Sequence, residues 1–158
     1  MASLFPANVG MSHVRGIVKI IKENNGKISI SQLAEEAEED VDDLLPLLEA
    51  SKLLGFIVIT KSDAKITPKG EKLASGAYTR TIIRESLTKI EPFKSTIKAL
   101  SEGSKTTVEL FEYLSANSVF PQDGEHSSES LLKMLLTWGV RSKLLSYDQE
   151  TETWTLIS

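Results

Sequence analysis

The chain opens with apolar residues at helical spacing. Four of them stand at positions i, i+3, i+4 and i+7 of one segment: Val14, Ile17, Val18 and Ile21. This period predicts an amphipathic helix over residues 12–22 with Ser12 as its N-cap. After the turn-forming residues 24–26, Ser29 or Ser31 caps a second, shorter helix. The first forty or so residues therefore predict two helices.

A third helix is predicted from about Asp42. Asp42 and Asp43 lie near its positive end, and Pro46 is close enough to the first turn to be tolerated. Its leucines are too numerous for one face: Leu44, Leu45, Leu47, Leu48, Leu53 and Leu54. We therefore expect this helix to be buried on more than one side, with Gly55 as its C-cap.

The period then changes from helical to alternating. Residues 56–59 are apolar and mostly β-branched, residues 61–63 have turn composition, and residues 64–67 alternate, which predicts a β-hairpin. Thr67 and Pro68 are a cap and a first helical residue for a helix that runs to Ala74. Three helices followed by a hairpin is the order of a winged helix, with the third helix in the place of a DNA-recognition helix.

The same order of elements recurs in the second half. The predicted elements are a helix over 79–90 broken at Pro92, a helix over 93–100, a helix over 108–114 capped by Thr106 or Thr107, a polar loop over 121–128, a helix over 130–145 capped by Ser127 or Ser128, and two strands within 144–157 about a turn at 148–152. We therefore predict a mainly α, α+β chain with two tandem winged-helix-like units joined by a helix. The predicted domains are an entry segment 1–10, a first winged-helix unit 11–76, a connecting helix 77–91 and a second winged-helix unit 92–158.

Composition narrows the functional classes. The 158 residues are 41% hydrophobic and 25% charged, which is enough apolar surface for a folded core. The absence of cysteine excludes disulfides, thiolate zinc sites and cysteine nucleophiles. Apolar runs are too short to span a bilayer, and residues 1–10 lack the order of a signal peptide. We therefore expect a cytoplasmic protein without direct membrane insertion.

The net charge of −4 hides an uneven distribution. Residues 31–54 contain eight acids and one base, Lys52, whereas residues 55–105 contain ten bases and five acids. The charges either solvate two faces of opposite sign or form an acidic and a basic docking face.

The sequence contains few residues that could form a catalytic, cofactor or metal site. His13 and His126 are the only histidines, and neither has neighbours at ligand spacing, so no metal site, no cofactor and no catalytic residue is predicted. Gly103 to Thr106 and Gly26 to Lys27 lack the glycine-rich lead-in of a phosphate-binding loop. Trp138 and Trp154 are expected in the core rather than stacked on a ligand. We therefore predict that the chain is not an enzyme.

An ordered set of short motifs resembles a known family. The motifs are LLPLLEA at 44–50, LLGF at 53–56, ITPKG at 66–70, LLTWG at 135–139 and YD at 147–148. In this order they resemble the AAA-associated C-terminal domain, which is fused behind the ATP-binding subunit of nitrate-, sulfonate- and bicarbonate-type ABC transporters. The resemblance covers about residues 8–156. One departure is VRSK at 140–143, where the family has Arg-Tyr-Ala-Glu.

The resemblance implies a soluble, non-catalytic module that associates with a transporter ATP-binding subunit and regulates it, either as a free-standing relative or as part of a longer ATPase. Its candidate partner-binding residues form an acidic face: Asp42, Asp43 and Glu49. The alternative is a winged-helix transcriptional regulator that binds DNA through basic residues of the hairpin and connector: Lys61, Lys65, Lys69, Lys72, Arg80 and Arg84. The acidic third helix makes DNA the less favoured partner. A homodimer is a further alternative, which the sequence does not decide.

Overall fold

The chain folds into helices and two small antiparallel sheets. The computed structural model describes residues 5–6, 8–77, 79–120 and 127–157. It divides into two compact units, an N-terminal unit, Val9–Ile82, and a C-terminal unit made of the described residues of Met1–Asn8 and Ile83–Ser158. The architecture is mainly helical and consistent with the α+β class.

In its described residues, the N-terminal unit has four complete helices and one three-stranded sheet. Its elements are α1 (Met11–Glu23), β1 (Lys27–Ser29), α2 (Ile30–Glu36), α3 (Val41–Leu53), β2 (Ile57–Thr60), β3 (Asp63–Ile66) and α4 (Pro68–Ala74). The strand order is β1-β3-β2, all antiparallel, and Lys65 stands opposite both Lys27 and Val58. The predicted hairpin is therefore present, and β1 completes its sheet.

One serine and one threonine cap the starts of two helices in this unit. The Ser29 hydroxyl accepts a hydrogen bond from the Gln32 N–H at 3.1 Å and so caps α2. The Thr67 hydroxyl accepts from the Gly70 N–H at 3.0 Å and donates to the Gly55 carbonyl at 2.6 Å. Thr67 thereby holds the end of α3 against the start of α4. Pro68 is the first residue of α4, as predicted.

The C-terminal unit repeats much of this order with different packing. Its elements are α5 (Thr79–Leu87), which begins in the N-terminal unit, then α6 (Phe93–Leu100), β4 (Lys105–Thr106), α7 (Thr107–Ala116), α8 (Ser128–Met134), a π-helical segment (Leu135–Val140), β5 (Leu145–Asp148) and β6 (Thr153–Leu156). The sheet order is β4-β6-β5. The two strands predicted about a turn at 148–152 are thus confirmed, and β4 joins them.

Aromatic side chains pack among aliphatic ones in the core of the C-terminal unit. Phe5 packs edge-on against Phe93 and Trp138, with ring centroids 5.6 and 5.0 Å apart. The Phe5 N–H donates to the carbonyl of Glu91 at 3.1 Å. Trp154 is also buried, and its indole N–H donates to the Thr107 hydroxyl at 2.8 Å. The expectation that both tryptophans belong to the core is confirmed.

Two glycines mark places where a helix crosses a strand without room for a side chain. A Cβ on Gly70 in α4 would overlap the backbone carbonyl oxygen of Phe56. A Cβ on Gly139 in the π-helical segment would lie 2.6 Å from the Cδ1 atom of Leu145. Close packing against the Phe56 backbone therefore requires glycine at position 70, whereas a side chain at position 139 would require Leu145 to shift.

Several predicted boundaries were wrong. Gly10 rather than Ser12 occupies the N-cap of α1, without a side-chain cap bond. The connecting helix ends at Leu87 instead of residue 90, since residues 88–90 form a turn. The last helix begins at Ser128, after the cap Ser127, and its π-helical continuation ends at Val140.

Some predictions fall on residues that the structure does not describe. Most of the predicted polar loop at 121–128, residues 1–4 and 7 of the entry segment, Tyr78 of the connecting helix, and His126 lie outside the described residues.

Candidate partner-binding surface

The exposed face of α3 is the candidate surface. The opposite side of this helix is fixed in the core by Leu44, Leu47 and Leu48, all buried. The helix continues through Pro46, which lacks the N–H that would otherwise donate a hydrogen bond to the Asp42 carbonyl. Because Pro46 is exposed, water can bond that carbonyl instead. The core contacts thus present one defined face of α3 to solvent.

The three predicted acidic residues lie on this helix. Asp42 and Asp43 are exposed in its first turn, where the helix dipole stabilises negative charge. Glu49 is half-exposed and follows Asp42 by seven residues, about two helical turns, so the two carboxylates share a face. Asp43 lies about 100° further around the axis. Within the described residues, none of these three carboxylates has an ion-pair or hydrogen-bond partner.

Two apolar side chains lie among these acids. Val41 and Leu45 are 44% and 48% exposed, and they stand one helical turn apart on α3. Leu45 follows Asp42 by three residues and precedes Glu49 by four, so it lies between the two carboxylates on the helix surface. The prediction that the surplus leucines bury a second side of α3 was wrong for Leu45. A helical projection separates it from Leu44, Leu47 and Leu48, and this signal was available in the sequence.

The basic residues of the DNA alternative are distributed over several elements. Lys61 lies in the turn between β2 and β3, Lys65 on β3, Lys69 and Lys72 on α4, and Arg80 and Arg84 on α5. Lys61, Lys65, Lys72 and Arg80 are exposed. The Lys69 ammonium lies 5.7 Å from the centroid of the Phe56 ring, a cation–π contact. Arg84 belongs to the C-terminal unit, whereas the other five belong to the N-terminal unit.

The segment that superficially resembles a phosphate-binding loop has a structural role. Lys105 and Thr106 form β4, and Thr106 caps α7. Its hydroxyl accepts from the Glu109 N–H at 3.2 Å, and the Glu109 carboxylate accepts from the Thr106 N–H at 2.8 Å. These hydrogen bonds lower the pKa of Glu109 below 4.5, the backbone bond most, with a smaller contribution from the charge of Lys105. The loop therefore forms a capping box rather than a cradle for phosphate.

His13 is exposed on α1. In the described ranges, no group of three or more histidine, cysteine, aspartate or glutamate residues is arranged to hold a metal ion. No helix in the described part of the chain has the length and apolar character needed to cross a bilayer.

The fold is a mainly helical α+β arrangement, and the candidate surface is one exposed helix face. Residues 31–148, about three quarters of the chain, match the model of the C-terminal AAA-associated domain. The chain belongs to this family, as the motif order predicted. The family description indicates association with an AAA ATPase. The matched range begins in α2 and ends in β5, so it includes the candidate surface. No curated protein and no solved structure matches the chain significantly.

Proposed function

We propose that the chain is a non-catalytic, cytoplasmic protein-interaction module that binds and regulates the ATP-binding subunit of an ABC transporter. Membership of an ATPase-associated family supports an ATPase as the partner. The observation that carries the proposal is the exposed α3 face, where Asp42, Asp43 and Glu49 have no partner within the described residues. Unpaired carboxylates on a fixed helix face attract a positively charged protein surface.

We further propose that each unit is winged-helix-like, with units at 11–76 and 92–158 joined by 77–91 after an entry segment 1–10. The supporting feature is the shared order of helix, short strand, two helices and hairpin, with a three-stranded antiparallel sheet in each unit. In the first unit, α3 then takes the place of a recognition helix, but with acidic rather than basic side chains.

The test is direct binding to the ATP-binding subunit. The purified chain is mixed with the cognate subunit, and association and ATP turnover are measured. We expect a complex and an altered turnover, both weakened when Asp42, Asp43 and Glu49 are replaced by Asn, Asn and Gln. The replaced residues are exposed or half-exposed, so the fold should survive. A chain that neither associates with the subunit nor changes its rate contradicts the proposal.

The second candidate function is DNA binding by a transcriptional regulator. The exposure of Lys61, Lys65, Lys72 and Arg80 favours it, because phosphate contacts supply much of the affinity for duplex DNA. It predicts tight binding to one upstream sequence with a steep salt dependence. Weak binding that ignores sequence in a mobility-shift series excludes this function. Sedimentation at several concentrations decides whether the chain is a homodimer.

A further inference from the structure

The exposed apolar pair on α3 gives the acidic face a more specific role. We propose that Val41 and Leu45 form the apolar centre of a docking surface for a basic amphipathic helix of a partner protein, with Asp42, Asp43 and Glu49 contacting its Lys and Arg side chains. The inference rests on the proposed protein-interaction function and deepens it by naming the chemistry of the partner.

The arrangement of apolar and acidic side chains matches the surface of such a helix. Val41 and Leu45 lie one turn apart, which is also the spacing of apolar residues along the stripe of an amphipathic helix. Asp42 and Glu49 flank Leu45 along α3. A partner helix that places apolar residues on this pair therefore brings its flanking side chains to the carboxylates, and only basic side chains fit there.

The clustering of the exposed apolar residues distinguishes α3 from the rest of the described surface. The other exposed large apolar residues are spread over separate elements: Val58 on β2, Val108 on α7, Leu136 in the π-helical segment and Ile157 after β6. Single exposed apolar residues are ordinary. Two on adjacent turns of one helix, surrounded by acids without ion-pair partners in the described ranges, indicate a surface that another protein covers.

Charge identifies the class of occupant. Residues 31–54, which contain the surface, have eight acids and one base, so nucleic acids and acidic peptides are repelled. No metal-binding group of these acids occurs in the described ranges, so a cation alone does not account for the face. A positively charged helix is attracted by the acids, and its apolar side chains then bury Val41 and Leu45.

The test separates apolar docking from charge attraction alone. The probe is a fluorescent 18-residue Leu/Lys peptide whose leucines follow helical spacing, and its control is a scrambled peptide of the same composition without that spacing. We expect the amphipathic peptide to bind at least about tenfold more tightly than the scrambled one, because only it presents an apolar stripe. Raising the salt concentration should weaken both peptides.

The variant Leu45→Gln identifies the binding surface. Because Leu45 is already half exposed, this change should leave the thermal unfolding of the chain unaltered, which circular dichroism checks. We expect it to remove the preference for the amphipathic peptide, an effect of about tenfold. The matched control is Val108→Gln on α7, where an even more exposed valine, at 58%, is changed far from α3 in sequence; it should bind like the wild type.

Three results overturn the inference: equal binding of the two peptides, unchanged binding of Leu45→Gln, or self-association that Leu45→Gln abolishes, which would make a second copy the occupant.

Binding of the ATP-binding subunit to the same variant distinguishes a failure of this inference from a failure of the proposed function. If the subunit still binds Leu45→Gln, the proposed function stands and the docking surface falls. If the amphipathic peptide docks through Leu45 but the subunit does not bind, the surface stands and the proposed partner falls.

Discussion

The two units share an order of elements but are stabilised by different side chains. In the N-terminal unit, Phe56 is the one described aromatic residue, and the rest of the core is aliphatic. In the C-terminal unit, Phe5, Phe93 and Trp138 form one ring cluster, and Tyr147 packs on Trp154 with ring centroids 4.4 Å apart. The third helix is regular in the first unit and becomes π-helical in the second. The shared order is thus compatible with two differently built cores.

The largest expected effect concerns the two tightly packed glycines. Gly70→Ala should destabilise the N-terminal unit by about 3 kcal/mol or more, because the new Cβ meets the backbone of Phe56, which cannot move without disrupting the sheet. Gly139→Ala should cost less, about 1–2 kcal/mol, because the new Cβ meets the Leu145 side chain, which can shift more easily than a backbone carbonyl. Urea unfolding of both variants measures the difference; equal losses would show that the two crossings are equally rigid.

The second prediction concerns the aromatic cluster. Phe5→Ala should destabilise the C-terminal unit by about 3 kcal/mol, because it leaves a cavity between Phe93 and Trp138. Hydrogen exchange followed by mass spectrometry should show faster exchange in α6 and in the segment around Trp138, with α1 unchanged. Phe5→Leu is the conservative control and should restore most of the protection. Faster exchange in α1 alone would mean that Phe5 belongs to the other core.

A smaller effect is expected at the buried polar contact of the second core. Thr107→Val keeps the shape of the side chain but leaves the Trp154 N–H without its acceptor, which should cost about 1–2 kcal/mol. Thr107→Ser keeps the hydroxyl and should cost less. Thermal unfolding of the three proteins measures the order of stability. If Thr107→Val is as stable as the wild type, this hydrogen bond does not contribute to the difference between the units.

The smallest expected effect is a helix cap that depends on pH in the C-terminal unit but not at the corresponding position of the N-terminal unit. Glu109 has a lowered pKa in the folded chain, so its capping box stabilises α7 above pH 4.5 and loses that contribution as the pH falls through the lower, folded pKa. The corresponding position in α2 is Gln32, which does not titrate. The amide resonance of Thr106 should therefore shift with a midpoint below 4.5. Glu109→Gln removes this shift, whereas a shift that persists must come from another group.

The sequence predicted features that depend on neighbouring residues. Thr67 and Pro68 begin a helix as expected, and both hairpins are present. Gly55, with a positive φ, comes directly after Leu54, the C-cap of α3, one position later than predicted. Such features arise from local backbone chemistry, in which a hydroxyl cap, a fixed proline φ or a glycine with positive φ acts within a few residues. The family was identifiable because its motifs lie in these same local segments.

Features that depend on distant residues were missed. Strands β1 and β4 have three and two residues, too few to show an alternating period, and they form because β3 and β6 offer free edges. The contact of Phe5 with Trp138 joins residues far apart in the sequence, so no local pattern indicates it. At the candidate surface the acids were identified by charge, but Leu45 was assigned to the core because leucine content was counted without its angular position on α3.

The position of Phe5 also determines how the chain responds to mechanical force. Residues near both ends of the polypeptide, Phe5 and β6, belong to the C-terminal unit, and the N-terminal unit is inserted between them. Tension applied through these two ends therefore loads the C-terminal unit first. The inserted unit, with its exposed α3, should stay folded until Phe5 leaves its place beside Phe93 and Trp138. In an optical-trap experiment we therefore expect two unfolding events in a fixed order: disruption of the aromatic cluster first, and unfolding of the inserted unit second.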